Sequence, residues 1–220
     1  MAQHAKSYIP AAGSDWLLPL YDPIAKLMGL ERVRKVLLDQ ASLLPRSRVL
    51  DIGCGTGSFC IMLKRLHPDV EIVGLDPDPK ALARARVKAK PVDIQFDQGF
   101  SQALPYSDSS FDYIFSSMMF HHLELHHKEK TLSEVRRVLK PSGLFAMVDF
   151  AEPESIVGRC LTWLFHPEIL RHNSKDRILT LMREAELRDA KAVASSKLSV
   201  GRIVYYHGYA RGADEHAQSV

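Results

Sequence analysis

The 220-residue sequence is poor in the residues that mark specialised folds. Its three cysteines, Cys54, Cys60 and Cys160, show neither zinc-finger spacing nor an even disulfide set, which argues for a reducing compartment, the cytoplasm, over a disulfide-stapled secreted module. Glycine and proline, 12 each, are too scarce for a collagenous or low-complexity chain. No apolar run approaches the roughly 20 residues that span a bilayer, and the start of the chain lacks an apolar leader segment, so no integral membrane association is expected. Charge of one sign is scarce too: 29 Lys and Arg face 26 Asp and Glu, and a net charge of +3 is too mild to point to nucleic acid. What is present, 46% hydrophobic and 25% charged residues, suffices for one well-filled globular core.

From residue 48 onward, short apolar or β-branched runs alternate with amphipathic helical patterns, the mark of βαβ units and a parallel sheet. Strands are expected at 48–52, 70–76, 92–96, 111–116 and 144–150, with helices at 56–66, 78–89 and 128–139 between them. The tail reads as a helix at 175–185 and two strands, 191–198 and 202–209, whose short connection predicts an antiparallel hairpin. Ahead of the sheet, 16–41 reads as two apolar-rich helical segments broken at Pro19 and Pro23.

The strongest local signal is Val49-Leu50-Asp51-Ile52-Gly53-Cys54-Gly55-Thr56-Gly57, a buried strand that ends in an acid and runs through a glycine loop into a helix. Glycines let the backbone turn sharply and let a ligand approach its amides. A second acid, Asp76, closes the next strand, where a carboxylate can accept both ribose hydroxyls of a nucleoside. Asp51 would repel a phosphate but welcome a cationic aminoacyl group. The Tyr-x-x-x-Lys signature of short-chain dehydrogenases is absent, which disfavours a nicotinamide cofactor.

With these residues the sequence resembles the class I S-adenosylmethionine-dependent methyltransferases, in particular the type 11, ubiquinone/menaquinone-biosynthesis-like group acting on small molecules. Further blocks carry the likeness: Gly74-Leu75-Asp76-Pro77, Leu104-Pro105-Tyr106 with Ser110-Phe111-Asp112, Phe120-His121-His122-Leu123, and Glu134 through Gly143 around Leu139-Lys140-Pro141. The resemblance implies an α/β fold: a Rossmann-like, doubly wound, seven-stranded, mostly parallel sheet with a C-terminal antiparallel strand and helices on both faces. It implies S-adenosyl-L-methionine as cofactor, with Gly53, Cys54 and Gly55 along its methionine moiety, Asp51 supporting the loop near its ammonium group, and Asp76 on the ribose. Pro77 and Gly99 would flank the adenine, and Tyr21 and Ser116 complete the cofactor set. Where similar enzymes offer Gly-Asp-Ala to the adenine, this chain has Gly99-Phe100-Ser101; Phe100 can cover the ring but cannot accept a hydrogen bond, leaving backbone groups or Gln98 to read it. Ser142 replaces the first glycine of a Pro-Gly-Gly turn.

Methyl transfer needs alignment and, for some acceptors, removal of a proton, so no obvious nucleophile is required. The candidate bases are His121 and His122 after the fourth strand and Asp149 at the end of the fifth; each could instead cap or pack its loop. His126 and His127 follow closely, but without a His-Glu-x-x-His pattern no metal is expected. Residues 1–47 are expected to form a helical lid, and 48–220 the catalytic domain, with a substrate-covering insertion at about 151–173. Trp16 in the lid and Trp163 and His166 in the insertion are the acceptor-site candidates, and they suggest a small, apolar or amphiphilic acceptor. The same apolar segments could serve a homodimer interface or skim a membrane. The basic stretch Lys80, Arg84, Arg86, Lys88 and Lys90 lacks interleaved aromatics and reads as a solvated helix face. The rival functions are a nucleic-acid or protein methyltransferase, disfavoured by the absence of an Asn-Pro-Pro-Tyr-type motif, and a cofactor-binding scaffold without turnover. An arsenite methyltransferase is disfavoured because two of the three cysteines lie in or just after the glycine loop.

Overall fold

The structure, a computed structural model, describes residues 18–151, 173–198 and 201–210. Parallel pairing runs through β3 (Gln95–Gln98), β2 (Glu71–Asp76), β1 (Arg48–Ile52), β4 (Phe111–Ser117) and β5 (Leu139–Phe150). The hairpin of β6 (Arg188–Leu198) and β7 (Gly201–Tyr209) completes a seven-stranded sheet in the order β3-β2-β1-β4-β5-β7-β6, with β7 antiparallel to both neighbours. The helices are α1 (Leu18–Leu27), α2 (Leu30–Ala41), α3 (Ser58–Leu66), α4 (Pro79–Lys88), α5 (Leu125–Val138) and α6 (Lys175–Glu184).

Because side chains alternate along a strand, the central strands feed two cores. Val49, Phe115, Ala146 and Tyr205 pack with Val33, Leu37, Phe59, Leu63 and Leu82 of α2, α3 and α4. Leu50, Ile114, Phe145 and Met147 pack with Leu132, Val135, Ile178 and Met182 of α5 and α6 on the other face. Thus α2, within the expected lid segment, is a layer of the sandwich, and the Tyr205 hydroxyl donates to the carbonyl of Val33 at 3.4 Å.

Several boundaries differ from the expected ones; α5 and β6 each start three residues early, at Leu125 and Arg188. The N-terminal helices part at Gly29, whose φ of 78° is left-handed, and α1 runs through Pro23. Proline lacks only its own N–H, whereas a left-handed residue turns the chain. β3 starts at Gln95, three residues late. β5 starts at Leu139, because residues 140–143 bulge out between the pairs Phe111–Leu139 and Tyr113–Leu144. Ser142 takes the left-handed conformation there, φ 63°, and a Cβ on Gly143 would meet the carbonyl oxygens of Lys140 and Asp112 at 2.9 and 3.0 Å.

Sheet order reverses at β1, between β2 and β4, and parallel register brings Ile52, Asp76, Ser116 and Ser117 to a common carboxyl edge. Open α/β sheets bind ligands at such a switch point.

Candidate cofactor and catalytic site

The loop after β1 is shaped by its glycines. Gly53 and Gly55 have φ of 72° and 53°, and a Cβ on Gly53 would lie 2.3 Å from Cγ of Met119, which packs against it from the loop after β4. The amides of Gly53 and Cys54 donate to the carbonyl of Leu75, at 2.8 and 3.0 Å, tying the loop to the end of β2. The Cys54 thiol turns into the core, beside Phe96 and Gly74, so this residue lends the site its backbone. Cys60 is also a buried free thiol and donates to Asp51 Oδ2 at 3.2 Å.

Two buried carboxylates underlie this loop. Burial pushes Asp51 up to about 7 against the opposing pull of the Cys60 hydrogen bond and the Arg34 charge. Asp76 accepts the amides of Gly55 and Asp78, both at 2.8 Å, yet burial still pushes it up to about 6. Both groups are short of hydrogen-bond donors or positive charge. Beside them, at the end of β4, the hydroxyls of Ser116 and Ser117 are buried without a protein partner. Orphaned polar groups of this kind call for a ligand or water. An ammonium group and vicinal hydroxyls, as S-adenosylmethionine carries, match this demand: Asp51 suits the cation and Asp76 the ribose.

On the adenine side, Gly99 donates its amide to the carbonyl of Asp76 at 3.2 Å. Phe100, which follows Gly99, is 37% exposed. Gln98 Nε2 donates to the carbonyl of Pro77 at 3.3 Å, and Ser101 is buried against Thr131, 2.8 Å between hydroxyl oxygens.

The second half of the edge gathers the three base candidates. His121 Nδ1 lies 2.6 Å from Asp149 Oδ1, and the His121 amide donates to Oδ2 at 3.1 Å. The amide of Phe150 adds a third donor at 2.7 Å. Although burial pushes Asp149 up, the His121 charge and these hydrogen bonds outweigh it and hold the carboxyl below its usual range. The ionised Asp149, 2.6 Å away, favours a proton on Nδ1 of His121, so Nε2 is the nitrogen left to exchange a proton. The ring of His122 lies against that of His121, tilted by 43° with centroids 3.9 Å apart.

Behind this pair lies Lys128, fully buried on α5, which donates to Asn173 Oδ1 at 3.0 Å while Asn173 Nδ2 donates to the carbonyl of Phe150 at 2.6 Å. Burial pushes Lys128 down to about 8, with Asp149 opposing. Sequence reading missed Lys128, although its spacing to Leu132 and Val135 places it on the apolar stripe of α5. It also missed Asp22, whose carboxylate accepts from Thr56, Ser58 and Lys88 at 2.6, 2.8 and 2.6 Å; no local pattern pairs residues so far apart in sequence. The basic stretch on α4 is accordingly not a uniform solvated face: Lys88 reaches Asp22, and Arg86 donates to the carbonyl of Phe96 at 2.7 Å.

Trp16, Trp163 and His166 lie outside the described residues; Tyr21 is in α1, where its backbone alone is described. Among the described residues, Glu124, His126 and His127 form a group with ligand-type atoms within 4.8 Å of one another, apart from His121 and His122 and largely exposed. No helix among the described residues is long and apolar enough to cross a membrane.

Comparison with known proteins agrees with this geometry. Residues 49–143 match the family described as "Methyltransferase domain". An uncharacterized methyltransferase of Synechocystis is 33% identical over 156 residues, covering 70% of this chain and 68% of that one. A demethylmenaquinone methyltransferase of Deinococcus radiodurans is 36% identical over 159 residues, covering 70% of this chain but 65% of that protein, slightly under two thirds of its length. The YcgJ protein of Bacillus subtilis shares the fold, with a TM-score of 0.70 at 22% identity over 83% of this chain and 100% of that chain. With the glycine loop, its two buried carboxylates and the sheet order all in place, the chain belongs to the class I S-adenosylmethionine-dependent methyltransferases.

Proposed function

We propose that this methyltransferase acts on a small, amphiphilic acceptor with a hydroxylated ring, of the demethylated naphthoquinol class, in the cytoplasm. The acceptor class is supported by the name of the Deinococcus relative, a demethylmenaquinone methyltransferase, and by the apolar sequence of residues 156–171. The two free, buried thiols suit a reducing compartment.

One observation carries the chemistry: the His121–Asp149 pair, 2.6 Å apart, on the same carboxyl edge as the glycine loop. The bound cofactor supplies a methyl group on a sulfonium, open to in-line displacement. Asp51, Asp76 and the loop amides orient that donor. Asp149 fixes the tautomer and ring plane of His121 and stabilises its protonated form, so that Nε2 can take the acceptor's hydroxyl proton, whose loss leaves the electron pair that makes the acceptor ring a stronger nucleophile. His122, half-buried and tilted against His121, walls the pair. No covalent intermediate with the protein is required, and alignment remains the main catalytic contribution.

The experiment is incubation of the full chain with S-adenosylmethionine and a panel of reduced demethylnaphthoquinones, simple phenols, amines and lipids, read by mass spectrometry. Methylation of the quinols ahead of the rest supports the reading. Saturable S-adenosylhomocysteine binding without transfer to any member would replace it with a cofactor-binding scaffold.

A further inference from the structure

The described part of α1 has little to hold it by packing. From Asp22 to Leu27 only Ala25 is buried, while Ile24 is 47% and Leu27 89% exposed. What fixes it to the cofactor side of the molecule is polar. Asp22 Oδ1 accepts the hydroxyls of Thr56 and Ser58, and Oδ2 accepts Lys88 Nζ, which also donates to the same two hydroxyls at 3.1 and 2.8 Å. Burial pushes the Asp22 carboxyl up, but these donors together hold it below its usual range.

The junction joins three elements at points where helix ends favour it. Helix α3 begins behind Gly57 with no side-chain cap and no acid in its first turn, and Asp22 places a carboxylate there from another element. Lys88 is the last residue of α4, where a cation meets the negative end of the helix. The consecutive residues Gly55 and Thr56 are therefore held by two carboxylates, the Gly55 amide by Asp76 and the Thr56 hydroxyl by Asp22.

We propose that Asp22 and Lys88 form a latch that fixes α1 against the glycine loop, so that the placement of the N-terminal segment and the binding of the methyl donor are coupled. Asp22 is a positioning residue: it shapes the loop that touches the cofactor and sets where the backbone of the adjacent Tyr21 lies. The inference rests on the cofactor site and not on the acceptor or on His121, so it can fail or stand independently of the proposed acceptor class.

The test is titration of the full chain with S-adenosylhomocysteine, alongside hydrogen exchange of the α1 amides, for Asp22→Asn, Lys88→Met and the exchanged pair Asp22→Lys with Lys88→Asp. Losing a charge-assisted junction predicts about tenfold weaker binding for Asp22→Asn and about threefold for Lys88→Met. Exchange in α1 should quicken in both, and turnover at saturating donor should stay within about twofold of wild type, a change in KM without one in kcat. The exchanged pair should bind better than Asp22→Lys alone. A purely structural role would lower the unfolding midpoint and leave S-adenosylhomocysteine affinity within about twofold in Asp22→Asn and in Lys88→Met; that result, or equal α1 exchange in all forms, overturns the latch. Should Asp22→Asn fail to fold, Lys88→Met alone decides between these outcomes.

Discussion

The two halves of the sheet's carboxyl edge treat their buried carboxylates in opposite ways. At β1 and β2, Asp51 and Asp76 are pushed up to about 7 and about 6, because their few donors do not offset burial. At β5, Asp149 is buried as deeply, yet it is held low by His121 and by backbone amides. Burial is common to both, so the partners decide. Carboxylates short of donors leave room for a cationic, hydroxylated ligand, the role proposed for Asp51 and Asp76; a carboxylate with three donors is already engaged in holding a histidine.

Breaking this contrast gives effects of graded size. The largest is expected for Asp149→Asn, which keeps the shape but removes the charge that fixes His121: kcat should fall by about 10²-fold or more, while S-adenosylhomocysteine affinity stays within about twofold. Steady-state kinetics paired with calorimetric titration separates the two. Next is Asp76→Ala, which removes the acceptor proposed for the ribose and leaves the Gly55 and Asp78 amides unpaired; titration should show affinity weakened by more than about tenfold, with little change in kcat once the donor saturates.

Acidification sharpens the contrast without mutation. A carboxyl raised in the folded state binds its proton more tightly there than in the unfolded chain, so the contribution of Asp51 and Asp76 to stability is fully present below about pH 4 and lost as pH rises through about 6 to 7. The proposed cofactor site needs both carboxylates ionised, so affinity should run the other way between about pH 7 and about pH 5, falling by about tenfold through Asp76 and further through Asp51. Titrations at both values should show this fall in wild type and one about tenfold smaller in Asp76→Asn. The smallest effect belongs to Phe100→Ala, which uncovers the adenine side: about a threefold loss in S-adenosylhomocysteine affinity, read in the same titration, with catalysis at saturation intact.

The first half of the edge was readable in the sequence because its signals are local. Asp51, Gly53, Gly55 and Asp76 sit at fixed offsets from two strand ends, and the run of strands and helices already implied the parallel sheet and the C-terminal hairpin. The second half was readable as candidates only. His121 and Asp149 are 28 residues apart, and nothing in either segment says that their side chains meet. Asp22 and Lys88 are 66 apart, and α4 taken alone presents Lys88 as one more surface cation. The boundaries at Gly29 and at residues 140–143 were missed for a related reason: left-handed turns and bulges answer to packing that lies elsewhere in the chain.

The division of the edge into a half that binds and a half that reacts is tested most directly by single-turnover methyl transfer in Asp149→Asn, with labelled S-adenosylmethionine already bound and a reduced demethylnaphthoquinone added. The account predicts full cofactor occupancy and a transfer step slowed by about 10²-fold or more. Transfer at the wild-type rate, or cofactor affinity falling as far as it does in Asp76→Ala, would contradict it.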